Sequence, residues 1–178
     1  MFKITITKQE ELGELDSEDT TLSEAVDSTY TPLDLRRGAI LPNFKWGDIL
    51  LHWNQISMPL LFSCMSDIVD DILRMLDAIL NGDNSDITFL TEPFTVFWYF
   101  EIQDSMIKIV SKWGSISADE QTREILNSDK SVLIIDKKIF IQEWFKLLSI
   151  FHNDLKTVGY DFPEFNDKLA AYAAFLQE

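Results

Sequence analysis

The chain has 178 residues, 46% hydrophobic and 12% aromatic, and sets 15 Lys and Arg against 30 Asp and Glu for a formal net charge of -15. That length predicts one domain, residues 1–178, with a core large enough to fold without disulfides or metals. The acid excess argues against nucleic acid and anionic membranes as partners and favours a basic protein, although the same charge also serves solubility alone. Cys64 is the single cysteine, so neither an intrachain disulfide nor a Cys-rich metal site is expected. No long apolar run reads as a signal peptide or membrane span, and a soluble, cytoplasmic protein is expected.

Residues 2–7 alternate, with Phe2, Ile4 and Ile6 on one face and Lys3, Thr5 and Thr7 on the other, as in a half-buried strand. Residues 9–28 hold Glu10, Glu11, Glu14, Asp16, Glu18, Asp19, Glu24 and Asp27 with few large apolar side chains, and predict an acidic loop or arm. Residues 29–35 read as a short strand or, because of Pro32, as a turn. Residues 43–54 are rich in aromatic and aliphatic side chains, and their period leaves a strand and a helical turn both open. From 59 to 80 the period is helical: Leu61, Met65, Ile68, Ile72, Met75, Leu76 and Ile79 form one stripe, and Gly82 is the stop signal.

Residues 86–91 predict a strand with Ile87 and Phe89 on one face. The run 93–102 is the expected centre of the sheet. Phe94, Val96, Trp98, Phe100 and Ile102 point one way, while Thr95, Phe97, Tyr99 and Glu101 point the other. With one face wholly apolar and the other largely aromatic, cover on both faces is expected. A tight turn at 103–105 leads to a return strand, 106–113, with Lys108 and Lys112 outward and Glu101 near Lys108. A short helix is expected near 118–126 and a strand at 131–135. Asp136 then caps a helix that runs to about residue 158, and Pro163 opens a last helix. The sum is an α+β fold: a largely antiparallel sheet with a central aromatic-rich strand, packed against two or three helices.

Candidate chemistry is sparse. His52 and His152 have no metal-ligand spacing around them, Cys64 has no cationic neighbour in sequence, and no phosphate-binding or nucleophile-elbow motif occurs. No cofactor and no catalytic residue is expected. Asp67, Asp70, Asp71 and Asp77 share one helix and read as an acidic docking face rather than a metal site. Together with Glu14, Asp16, Glu18 and Asp19 they are the expected partner contacts. Trp46, His52 and Trp53 are the expected lining of a ligand pocket, should the chain bind a small molecule or act as an enzyme.

The small acidic chain, its mixed element order and the Asp-capped segment from Asp136 through Ile139, Phe140 and Ile141 to Trp144 after an apolar strand resemble bacterial immunity proteins of polymorphic toxin systems. The resemblance implies a protein that neutralises a basic toxin and carries over no functional residue. The expected function is therefore non-enzymatic protein binding, by steric blockade guided by charge.

Overall fold

The structure, a computed structural model, describes residues 1–7, 48–60, 62–91, 94–157 and 161–177, the side chains of residues 7, 48 and 62–67 excepted. Its elements follow in the order β1 (Phe2–Thr7), β2 (Asp48–Trp53), β3 (Ile56–Leu60), α1 (Phe62–Asn81), β4 (Ser85–Thr91), β5 (Phe94–Gln103), β6 (Met106–Trp113), α2 (Glu120–Asn127), β7 (Val132–Asp136), α3 (Lys137–Thr157) and α4 (Pro163–Gln177). The fold is α+β, as its alternating and helical periods predict. The strands divide into two antiparallel sheets instead of one, a three-stranded sheet in the order β1-β2-β3 and a four-stranded meander in the order β4-β5-β6-β7.

The small sheet comes from a hairpin that the periodicity of 43–54 leaves undecided. Asn54 and Gln55 both take positive φ, 45° and 76°, the backbone of a tight two-residue hairpin turn. Asparagine tolerates that conformation; glutamine is an uncommon choice, so the dipeptide carries little turn signal. The turn pairs Trp53 with Ile56 and Ile49 with Leu60, and the helix begins at Phe62, three residues later than its period suggests. The turn is also docked across the molecule. The Asn54 side-chain amide donates to the Val132 carbonyl at 2.8 Å, and Trp53 Nε1 donates to the Lys130 carbonyl at 2.6 Å.

Elsewhere the local signals match the elements. Gly82, at φ 78°, ends α1 in the left-handed region where a side chain would be strained. The Asp119 carboxylate accepts from Thr122 N at 2.7 Å and starts α2. Asp136 Oδ1 accepts from Lys138 N at 2.8 Å and Ile139 N at 3.2 Å, satisfying two of the orphan donors of α3. Glu101 and Lys108 pair at 2.9 Å across the β5–β6 turn.

The inner faces of the two sheets meet over aromatic rings. Trp53 of β2 stacks on Trp98 of β5 with centroids 5.3 Å apart and planes 18° from parallel. Trp113, Phe89 and Trp144 pack around Trp98 edge-on, with interplanar angles of 76°, 90° and 61°. α3 closes one side: Phe140 lies 4.7 Å from Phe2, and Glu143 Oε2 accepts the Ile4 backbone N–H at 3.0 Å on the free edge of β1. α4 ties α3 to α1, with the Tyr172 hydroxyl 3.1 Å from the Leu73 carbonyl.

One expectation is corrected. The Thr95–Phe97–Tyr99–Glu101 face of β5 has no cover among the described residues; Phe97 and Tyr99 are each 39% exposed, while Phe94, Val96, Trp98 and Phe100 on the other face are fully buried. The helices and the small sheet all lie on one side, because β1, α1 and α3 already complete the core around Trp98.

Removing the ring at the centre of that core should be among the costliest single changes. Trp98→Ala is expected to lower unfolding free energy by about 3–5 kcal/mol, read as a shift in urea midpoint. A loss under about 1 kcal/mol would show that the stack is not the junction described.

Candidate functional site

Of the three residues expected to line a ligand pocket, the two described ones lie on opposite sides of the small sheet. β2 alternates, so His52 and Trp53 point to opposite faces of the small sheet. Trp53 is fully buried in the core, with its ring nitrogen already donating to the Lys130 carbonyl. His52 lies half-buried on the outer face. The two therefore do not line one pocket. Trp46 lies outside the described residues.

On its own face His52 bridges three strands. Its Nε2 is 2.9 Å from Thr5 Oγ1 and its Nδ1 is 2.7 Å from Ser57 Oγ. A serine on an imidazole is half of a nucleophilic arrangement, but the group orienting the ring is a hydroxyl where catalytic triads place a carboxylate. The trio works as a polar ladder that satisfies three side chains across the pleat.

The acidic face on α1 is partly consumed by the fold. Asp77 is paired with Lys168 of α4, and its Oδ1 accepts from the Tyr172 hydroxyl at 2.8 Å. Burial, and the Asp77 carboxylate beside it, push the Tyr172 phenol well above its ordinary range. Asp71 holds Arg74 at 2.7 Å; burial raises its carboxyl above the ordinary value, with Asp70 adding to the rise and Arg74 opposing it. Asp70 is exposed. The Asp67 side chain, Glu14, Asp16, Glu18 and Asp19 lie outside the described residues, as does the Cys64 side chain. Asp70, Arg74 and Asp77 rim a groove of about 690 Å³ between α1 and the start of α4, floored by Leu73, Phe162 and Phe165. Its cations, Arg74 and Lys168, are each already held by an aspartate. Among the described residues no group of three or more His, Cys, Asp or Glu could hold a metal ion, and no helix is long and apolar enough to cross a membrane.

The feature that stands out is the uncovered side of the four-stranded sheet. Nine large hydrophobic residues are exposed among the described residues, and six of them lie on this one face: Leu90, Phe97, Tyr99, Met106, Val132 and Ile134. Leu90 is 76% and Ile134 64% exposed. Register aligns them in rows across the strands. Thr88, Phe97 and Lys112 form one row, Asp86, Tyr99, Val110 and Val132 the next, and Glu101, Lys108 and Ile134 a third. Scattered exposed apolar residues are normal; a set gathered on one face of a sheet marks an interaction surface. Sequence reasoning located the side chains of β5 but assigned them to the interior, and it singled out neither Val132 nor Ile134.

Comparison of the chain with protein-family models, with curated proteins and with solved structures finds no match.

One titratable group in the α3–α4 junction sets a pH dependence. His152 is buried against Phe165, ring centroids 5.2 Å apart, and its Nε2 has no hydrogen-bond partner. Burial, reinforced by Lys156, holds its pKa below the ordinary 6.5, with Asn166 and Asp161 pulling the other way. The unfolded chain therefore binds this proton at higher pH than the folded one. Stability from this site is complete above about pH 7 and falls as pH drops through 6.5 toward the lower folded value. Urea midpoints measured across that window are expected to fall with pH in the native protein and to flatten in His152→Gln; an identical slope in the two would remove His152 as the source.

Proposed function

We propose that this chain is a non-enzymatic protein-binding domain whose contact surface is the uncovered face of the four-stranded sheet. The single observation that carries the reading is the gathering of Leu90, Phe97, Tyr99, Met106, Val132 and Ile134 on one face, while the other hydrophobic side chains among the described residues are mostly buried. Phe97 and Tyr99 present rigid rings at the middle of the sheet, held from beneath by the packing around Trp98, and such preorganised aromatic anchors dominate binding energy at protein interfaces. The net charge of -15 supports a basic partner, since it raises the rate of encounter with a cationic protein before any contact forms. A basic toxin, neutralised by occlusion, fits that chemistry and the likeness to immunity proteins.

The division of labour has a measurable form. Once a partner has been captured from the native host and purified, Phe97→Asp and Ile134→Asp are each expected to weaken binding at least about 10-fold, mainly through faster dissociation. The native association rate is expected to fall as salt rises from about 50 to about 500 mM. Both substitutions sit at exposed positions, so far-ultraviolet circular dichroism should be unchanged. A partner bound equally well by the folded variants would place the site elsewhere on the molecule.

A further inference from the structure

The charge on the open sheet face departs from the charge on the chain. The molecule carries twice as many acids as bases, yet this face sets Asp86 and Glu101 against Lys108 and Lys112. Glu101 and Lys108 are paired at 2.9 Å, and Asp136, at the margin, spends its carboxylate on capping α3. A balanced face gives a basic protein no electrostatic advantage at the contact itself, whatever the long-range field does.

The register lets the two middle strands of the face complement those of a second copy. A two-fold axis lying in the face, parallel to the strands and between β5 and β6, exchanges β5 with β6 and β4 with β7. Under that operation Glu101 meets Lys108 of the second copy, and Lys108 meets the second copy's Glu101, since the two residues are partners in one row. Phe97 meets Lys112 for the same reason, a cation over an aromatic face. Tyr99 meets Val110. Asp86 of one copy falls over Val132 of the other at the sheet margin, where water still reaches the carboxylate. Aligned sheet packing of this kind keeps strand directions within about 30° of each other, so the rows nearest the axis stay in contact.

We infer that in the free protein the open face closes against a second copy of this chain, as a two-fold, sheet-on-sheet dimer. The inference rests on the reading of this face as a protein-binding surface and names its resting occupant. Four strands about 4.8 Å apart and about 20 Å long give a footprint of roughly 400 Å² per copy. That is below the roughly 800 Å² per partner of a standard stable interface, so the dimer is weak and exchangeable. The net charge of -15 works against it: two copies repel at long range, and salt that screens the repulsion strengthens the pairing. This is the opposite salt dependence to that of a basic partner, which can therefore displace the second copy most readily at low ionic strength.

Sedimentation velocity on the full chain, at concentrations up to about 1 mM, tests it. The native protein is expected to dimerise increasingly with concentration, and more strongly at about 500 than at about 50 mM salt. Glu101→Lys alone and Lys108→Glu alone are each expected to be monomeric, because each sets like charges against one another across the axis. An equimolar mixture of the two is expected to recover the dimer as a heterodimer, since both positions of the row carry lysine in the first variant and glutamate in the second. A native protein that stays monomeric throughout overturns the dimer, and so does a dimer that both single variants retain. A monomer that nonetheless loses its purified partner on Phe97→Asp overturns the dimer while leaving the protein-binding reading in place.

Discussion

The stack of Trp53 on Trp98 is the constraint on which the rest of the molecule depends. Two antiparallel sheets of three and four strands are each marginal alone, because a small sheet buries too little apolar surface to offset the entropy of ordering it. Here each contributes one indole to a single contact at 5.3 Å, and edge-on rings from both sheets and from α3 surround it. Large aromatic side chains each bury about 150–250 Å² with few rotatable bonds, so a core built from them gains much area per residue fixed. Trp98 Nε1 and Trp144 Nε1 have no hydrogen-bond partner there; ring edges and faces are what surround them.

That core also explains why the four-stranded sheet is one-sided. Every described element that covers the sheet does so from the same side: β1 and β2 through Phe2 and Trp53, α1 beneath β4, and α3 through Phe140 and Trp144. The polypeptide between β4 and β7 is a plain meander with short turns, apart from α2, and none of the described elements crosses the other face. A sheet closed on one side by an aromatic interior is stiff, and stiffness suits a recognition surface, because little side-chain or backbone freedom remains to be lost on binding.

Much of the architecture was readable from local pattern. Alternation in Phe2–Thr7 and in β5, the helical stripe Ile68–Ile72–Met75–Ile79, the Asp136 cap and the Gly82 stop are all short-range signals, and the chain obeys them. What pattern could not convey was depth. Phe97 and Tyr99 look the same in sequence whether a helix, another protein or water lies above them. The ion pair of Asp77 with Lys168 joins residues 91 apart, so an exposed acidic stripe and a helix-to-helix tie are indistinguishable until the chain is folded. The hairpin at Asn54–Gln55 was hidden for a different reason: its second residue adopts a conformation that its side chain does not advertise. The separation of His52 from Trp53 follows only once 48–53 is a strand, with Ile49, Leu51 and Trp53 on its inner face.

The bond from Ile4 N–H to Glu143 has a consequence for how the small sheet meets other chains. An edge strand is an open template, because its outward amides and carbonyls can accept another strand of any sequence. On β1 the outward amide is answered by a carboxylate, which is fixed on a helix, largely shielded from water and tethered on its other oxygen by Lys146 at 2.7 Å. A newcomer would have to expel an anion from its amide before laying down a ladder. The Ile4 amide is therefore closed to a second strand, which would have to join β1 without it.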